Sequence, residues 1–167
     1  MDMRNAVAAA AMLTGLLATG AEAREVVRFD SSYEPGTIVV RSSERKLYLV
    51  TDYGSAVRYP VAVGRLGKQW SGTAFVAGKY VNPAWSPPDE IKRDKPSLPR
   101  VIPGGSKSNP MGTRALVLDR GQYAIHGTNN PKSIGTFASY GCVRMFNADI
   151  QDLYDRVGVG TTVVVTR

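Results

Sequence analysis

Three short apolar runs separated by polar turns occupy residues 37–63 and strongly constrain the fold. The runs at 37–41, 46–51 and 57–63 are rich in Val, Leu and Tyr, residues that favour strands, whereas the segments at 42–45 and 52–55 carry turn residues. Strands joined by such short turns form an antiparallel meander. Further β-rich runs follow at 115–118, 123–125 and 161–165. The sequence therefore predicts a mainly β domain.

One helix is predicted near the end of the sequence. Its apolar residues recur at intervals of three and four, which gives a stripe that faces the core: Ile150, Leu153, Tyr154 and Val157. Asn147 is the predicted N-cap of this helix, and Gly158 is predicted to be left-handed just past its end.

Residues 64–112 have a different composition, because seven of the ten prolines of the chain fall between Pro83 and Pro110. We expect little regular structure through most of this segment. A loop of this length in a compact domain is commonly a lid or a binding surface. Trp70, Tyr80 and Trp85 are candidates for lining a groove there, and the alternative is that they pin the loop to the core.

Residues 1–23 have the pattern of an export signal, with Arg4 near the start, an apolar run from Ala6 to Thr19, and small residues at Ala21 and Ala23. Fourteen helical residues would span about 21 Å, too short for a stable membrane anchor. We expect cleavage after Ala23, a short N-terminal extension at 24–36 and one domain at 37–167.

The chain without its predicted signal has 20 basic and 12 acidic residues, a net charge of +8. This balance favours anionic partners, although solubility alone also explains it. The Lys and Arg residues are scattered and accompany no nucleic-acid-binding motif, so no nucleic-acid partner is expected.

Cys142 and His126 are the only cysteine and the only histidine in the chain, and they lie sixteen residues apart. Together they are a candidate thiol nucleophile and its base, and the alternative is a buried cysteine that acts as a small apolar residue. A straight strand of sixteen residues would separate them by roughly 53 Å, so the chain must fold back between them. Asn130, Pro131 and Gly135 supply turn residues for that reversal.

Two neighbours of Cys142 are further candidates. In an extended chain Arg144 points to the same side as Cys142, where it would favour the thiolate or hold a substrate carboxylate; its alternative role is an ion pair with Asp149. Gly141 would let backbone N–H groups approach a developing oxyanion, but a tight turn would use glycine equally well.

The segments His126-Gly127-Thr128 and Ser139-Tyr140-Gly141-Cys142-Val143-Arg144-Met145 resemble the signature of the YkuD-type L,D-transpeptidases. Residues 109–112 are similar to that family's approach to its histidine, and Trp85 with Pro87 and Pro88 is similar to its substrate-side loop. The order of elements is similar from about residue 37 to residue 165.

The resemblance implies a YkuD-like β-sandwich catalytic domain with a long Pro-rich lid and a short C-terminal helix, in a periplasmic enzyme that uses no metal and no cofactor. Its substrate would be a peptidoglycan stem tetrapeptide. Cys142 would form a thioester at the L-centre of the third residue and release D-alanine, with His126 as base and acid. The acceptor would be the amine of a second stem peptide or of an outer-membrane protein.

The resemblance also implies roles for other residues of the motif. The Gly127 backbone would orient His126, and Tyr140, which stands where many members have histidine, would act with Gly141 near the oxyanion. Ser139, Arg144 and Trp85 would contact substrate. The chain has Ser71-Gly72-Thr73 where the family usually has Thr-Pro before the lid.

Three other functions are compatible with parts of this pattern. An L,D-carboxypeptidase would use water as the acceptor, and a non-catalytic peptidoglycan-binding protein would keep the fold without the reaction. A thiol redox protein would need a resolving cysteine, which the sequence lacks.

Overall fold

A computed structural model describes residues 24–30 and 32–167, so the predicted signal at residues 1–23 lies outside the described part. The ten strands are β1 (Glu25–Phe29), β2 (Ile38–Arg41), β3 (Lys46–Asp52), β4 (Gly54–Gly64), β5 (Gly72–Val81), β6 (Arg114–Leu118), β7 (Ala124–His126), β8 (Phe137–Ser139), β9 (Val143–Met145) and β10 (Thr162–Thr166). The helices within the described residues are α1 (Asp89–Asp94) and α2 (Asn147–Arg156), and Pro131–Ser133 forms a 3-10 turn. None of the helices in the described part is long and apolar enough to cross a membrane.

The strands pair in the order β1-β4-β3-β2-β10-β5-β6-β7-β9, and β9 pairs again with β4. The circuit closes because β4 is eleven residues long and changes neighbours along its length. Its first part pairs with β1 and β3, whereas Val61 and Ala62 pair with β9. Eight strands therefore surround one interior, and β1 and β8 are attached to β4 outside this circuit.

The main core lies inside this circuit. All eight strands contribute alternate residues to it, as expected when one face of each strand is buried. Helix α2 adds Ile150 and Leu153 and packs against β6 and β7, and Val157 joins the core just past the end of the helix. A smaller cluster on the other face of β2, β3 and β4 includes Phe29 of β1, which stacks on Tyr48.

The prediction of a mainly β domain is confirmed. The runs predicted as strands correspond to β2, β3, β4, β6, β7 and β10, with ends shifted by three residues at most. Four strands fall where none was predicted. Strand β1 lies within the segment assigned to the N-terminal extension, β5 adds ten residues of regular structure to the Pro-rich region, and β8 and β9 lie on either side of Cys142.

Helix α2 has the predicted stripe but not the predicted ends. Asn147 is the first residue of the helix, Phe146 occupies the N-cap position, and no side chain caps the helix. The predicted Asn147 cap is therefore wrong, because its amide bonds to two neighbouring loops instead. At the other end Val157 is extended, and the left-handed glycine of this turn is Gly160 rather than Gly158.

Candidate active site

The fold brings Cys142 and His126 to the same side of two adjacent parallel strands. His126 is the last residue of β7 and pairs with Arg144 of β9, while Ile125 pairs with Val143. Ile125 and Val143 belong to the core, so the alternate residues face the other way. Cys142 directly precedes β9, and it therefore shares that outward side with His126 and Arg144.

This side forms one wall of a cleft with a volume of about 790 Å³. Six of the residues that the sequence suggested as site residues line it: Trp85, His126, Ser139, Tyr140, Cys142 and Arg144. The other two, Gly127 and Gly141, contribute backbone groups next to His126 and Cys142. Pro87, Pro88 and the start of α1 also line the cleft, and we call α1 the lid helix.

His126 is buried and has a defined hydrogen-bonding partner. Its Nδ1 lies 2.7 Å from the carbonyl oxygen of Gly127. Because a carbonyl oxygen only accepts, Nδ1–H is the donor, and the lone pair of the neutral ring is on Nε2. Burial, followed by the nearby Arg144 guanidinium, lowers the pKa of His126 to about 4. The imidazole is therefore neutral at pH 7 and able to accept a proton.

Asn147 fixes the backbone on both sides of this histidine. Its Oδ1 accepts hydrogen bonds from the N–H groups of Thr113 and Thr128, and its Nδ2 donates to the carbonyl oxygen of Thr128. A side chain on Gly127 would collide with the Asn147 amide, so glycine is required at that close approach. Asn147 thus joins α2 to the two segments around the Gly127 carbonyl that holds His126.

The Cys142 thiol is half-buried, and its Sγ lies 3.8 Å from the carbonyl oxygen of Gln122. Burial raises the pKa of the thiol, and the Ala124 N–H and the Arg144 guanidinium oppose that rise. Cys142 is thus a neutral thiol at pH 7, in the same cleft as the neutral imidazole of His126.

Arg144 is a half-buried cation that forms no ion pair within residues 24–30 and 32–167. Burial lowers the pKa of its guanidinium, which nevertheless stays protonated at neutral pH. The alternative pairing with Asp149 is wrong, since Asp149 lies 3.8 Å from Arg24. Arg144 therefore presents an uncompensated positive charge to the cleft.

The residues before Cys142 form a tight loop, residues 139–142, which we call the Cys142 loop. Ser139 closes it: its Oγ accepts the Gly141 N–H at 3.0 Å and donates to the Cys142 carbonyl oxygen at 2.6 Å. The Ser139 hydroxyl is therefore engaged within the loop rather than directed at substrate. The Gly141 N–H is likewise occupied by Ser139.

Tyr140 connects the Cys142 loop to the lid helix. Its hydroxyl donates to Asp94 Oδ2 at 2.6 Å, and Arg65 donates to the same oxygen at 3.0 Å. The Arg65 guanidinium also lies 4.0 Å from the centre of the Tyr140 ring. Lys68 forms a further ion pair with Glu90 of the lid helix. In this structure the Tyr140 hydroxyl thus holds the lid helix and does not face the thiol.

The three aromatic residues suggested as groove lining have different positions. Trp85 lines the cleft, and its backbone pairs with Ile102. Tyr80 lies on β5, 52% exposed, and is not part of the cleft lining. Trp70 packs on the core and donates a hydrogen bond to the Cys142 loop. Sequence reasoning missed this contact, since no local pattern signals a bond between residues 71 positions apart.

Comparison with known proteins assigns the chain to a family. A sequence model of the L,D-transpeptidase catalytic domain, YkuD, matches residues 35–165. The chain belongs to the L,D-transpeptidase family. It is 39% identical over 135 residues to the probable L,D-transpeptidase YbiS of Escherichia coli K12, which covers 75% of this chain and 43% of YbiS. The chain thus spans less than half the length of the curated relatives that it matches first.

Solved structures of L,D-transpeptidases share the fold. The Enterococcus faecium L,D-transpeptidase C442S mutant superposes with a TM-score of 0.63 at 16% identity, over 80% of this chain and 50% of that one. A Brucella melitensis protein described as a probable carnitine operon oxidoreductase is 40% identical, with a TM-score of 0.58 over 88% of this chain and 95% of that one.

Proposed function

We propose that this chain is an exported cysteine L,D-transpeptidase that acts on peptidoglycan stem tetrapeptides. The observation that carries the proposal is the placement of the only cysteine and the only histidine on one side of β7 and β9, within a single cleft. Membership of the L,D-transpeptidase family supports the reaction class.

The reaction begins from a neutral pair of side chains. As the Cys142 sulfur adds to the carbonyl carbon of the third stem residue, its proton passes to Nε2 of His126, and the carbonyl π electrons move to oxygen. When the carbonyl re-forms, the C–N bond breaks and its electron pair leaves with the nitrogen of D-alanine. That nitrogen takes the proton from His126, which leaves a thioester on Cys142.

The second half-reaction reverses these roles. An acceptor amine attacks the thioester carbon, His126 takes a proton from that amine, and the sulfur leaves and is reprotonated as the new amide forms. With the amine of another stem peptide the product is a cross-link, and with the amine of an outer-membrane protein it is an anchored protein. Arg144 provides a positive charge for a carboxylate of the stem peptide, because no acidic side chain in the described residues neutralises it.

Intact mass spectrometry with a disaccharide tetrapeptide tests the proposal. We expect an adduct on Cys142 equal to the donor minus D-alanine, and no adduct on the Cys142→Ala variant. Turnover by Cys142→Ala, or the absence of both adduct and product with the wild-type chain, would contradict it. An intact fold of Cys142→Ala, checked by circular dichroism, is the control.

Two alternatives are separated by the products. An L,D-carboxypeptidase would yield only free tripeptide with and without an amine acceptor, whereas a transpeptidase yields an amide with the acceptor. A non-catalytic protein would bind sacculi without forming the thioester. A redox function that uses an intramolecular disulfide is excluded, since the chain has a single cysteine.

Export and a periplasmic location remain part of the proposal, on the basis of the pattern at residues 1–23. Cell fractionation of the full chain, compared with a chain that begins at Met followed by Arg24, tests this point. We expect only the full chain to reach the periplasm, with its N-terminus at Arg24.

A further inference from the structure

Trp70 lies in the connection between β4 and β5 and is not among the residues that line the cleft. Its indole Nε1–H donates to the carbonyl oxygen of Gly141 at 3.0 Å. The indole stacks on Tyr123 with ring centres 5.2 Å apart and planes 3° apart, and the Arg120 guanidinium lies 5.1 Å from its centre. Two contacts, with Tyr123 and Arg120, therefore hold the indole that binds the Gly141 carbonyl.

The Trp70 bond sets the direction of a second group, the N–H of Cys142. The carbonyl of Gly141 and the N–H of Cys142 belong to one planar trans peptide, in which they point in opposite directions. A carbonyl fixed towards Trp70 therefore fixes the Cys142 N–H towards the opposite side.

The loop has little freedom to rotate this peptide. Gly141 has a φ of +122°, and a side chain at this position would collide with the ring of Tyr123. Ser139 holds the flanking Gly141 N–H and Cys142 carbonyl. One polar group of the loop is left over: the Cys142 N–H has no acceptor among residues 24–30 and 32–167.

We propose that Trp70 is a positioning residue for the acyl-transfer reaction, which orients the Cys142 N–H as a donor to the oxyanion. This inference rests on the proposed function. When the sulfur adds to the substrate carbonyl carbon, the negative charge collects on oxygen, and a fixed N–H beside the nucleophile stabilises it without reorganisation. Trp70 contacts neither substrate nor sulfur, and it acts through the Gly141 peptide.

The kinetic test compares single-turnover acylation in the wild-type chain and in Trp70→Phe, which keeps an aromatic ring on Tyr123 but lacks the N–H donor. We expect the acylation rate constant to fall about tenfold to a hundredfold, with donor affinity changed by less than about threefold. The reason is that the weakened hydrogen bond, from the Cys142 N–H to the oxyanion, forms in the transition state and not in the bound donor. Replacement of Trp70 by 3-benzothienylalanine, which exchanges N–H for sulfur in the same bicyclic shape, should give the same loss. Wild-type rates in this shape-matched variant would overturn the inference.

An NMR test measures the environment of the Cys142 N–H directly. Because the chain has a single cysteine, ¹⁵N-cysteine labelling gives one backbone amide signal, that of Cys142. Both Trp70 variants should shift or broaden this signal, whereas Trp85→Phe, at the other tryptophan, should leave it in place. An unchanged signal in the Trp70 variants would overturn the inference, even if their acylation were slow.

The two proposals fail in distinguishable ways. If the wild-type chain forms no acyl-enzyme, the proposed function fails, whatever the amide signal does. If the wild-type chain is acylated and the Trp70 variants are acylated equally fast, the positioning role fails and the proposed function stands.

Discussion

The two walls of the cleft are held by contacts of different kinds. The strand wall, formed by β7 and β9, places Ile125 and Val143 in the core and is braced by the buried hydrogen bonds of Asn147. The lid helix buries none of its residues and is held by exposed bonds from Asp94 and Glu90. Exposed ion pairs contribute little to folding stability and are screened by salt. The comparison indicates that this protein fixes its reacting groups and leaves access to them adjustable.

The largest expected effect concerns the strand wall and pH. The folded pKa of His126, about 4, lies below the value near 6.5 in the unfolded chain, so the unfolded chain binds a proton first as pH falls. The stability present above pH 6.5 should therefore decline towards pH 4, by about 3 kcal/mol from this residue. Urea unfolding at a series of pH values should show this decline in the wild-type chain and a correspondingly smaller one in His126→Gln. If the stabilities of the two chains fall equally with pH, the decline does not come from His126.

The next effect tests whether Asn147 braces the strand wall. Asn147→Ala removes three hydrogen bonds and leaves the N–H groups of Thr113 and Thr128 without their acceptor, at a cost of about 2 kcal/mol in the free energy of unfolding. Asn129→Ala is the matched control, since Asn129 is exposed and makes one bond to the Lys107 carbonyl. We expect the urea midpoint of Asn129→Ala to stay near that of the wild-type chain. Equal losses of stability in the two variants would show that Asn147 does not brace the strand wall.

The smallest effect concerns the lid helix. Asp94→Asn weakens the bonds from Tyr140 and Arg65, and it should leave the urea midpoint unchanged while a bulky maleimide reacts about two- to fivefold faster with Cys142. Raising the ionic strength should accelerate labelling of the wild-type chain more than that of the variant, because salt screens exposed pairs. Asp155→Asn, an exposed change on α2, serves as the control. A lowered midpoint in Asp94→Asn would show that the lid helix carries folding stability.

The sequence predicted those strands whose residues alternate or cluster as β-branched and apolar residues. Strand β5 was not predicted because it begins at Gly72 and Gly78 interrupts it, and its pairing with β6 shifts register between Val76 and Gly78. The lid helix was not predicted because it buries no residue and so has no apolar periodicity. In both cases partners distant in the chain, rather than a local pattern, define the element.

The candidate site also contains residues that the sequence predicted and residues that only the structure identifies. Cys142, His126 and Arg144 were visible because their chemistry and spacing are local properties of the chain. Trp70 and Asn147 were not, because what matters is the backbone that each one binds across 71 and 34 residues. Sequence motifs therefore identify the reacting groups, whereas the residues that position those groups are identified only from contacts in the folded structure.

Strand β10 sits between β2, which it joins in parallel, and β5, which it joins antiparallel. During synthesis, the edges of β2 and β5 that pair with β10 therefore stay unpaired until residues 162–166 are made, and only then can the circuit of eight strands close. Until residues 162–166 have left the ribosome, the growing chain has two unpaired strand edges, which are able to pair with another chain.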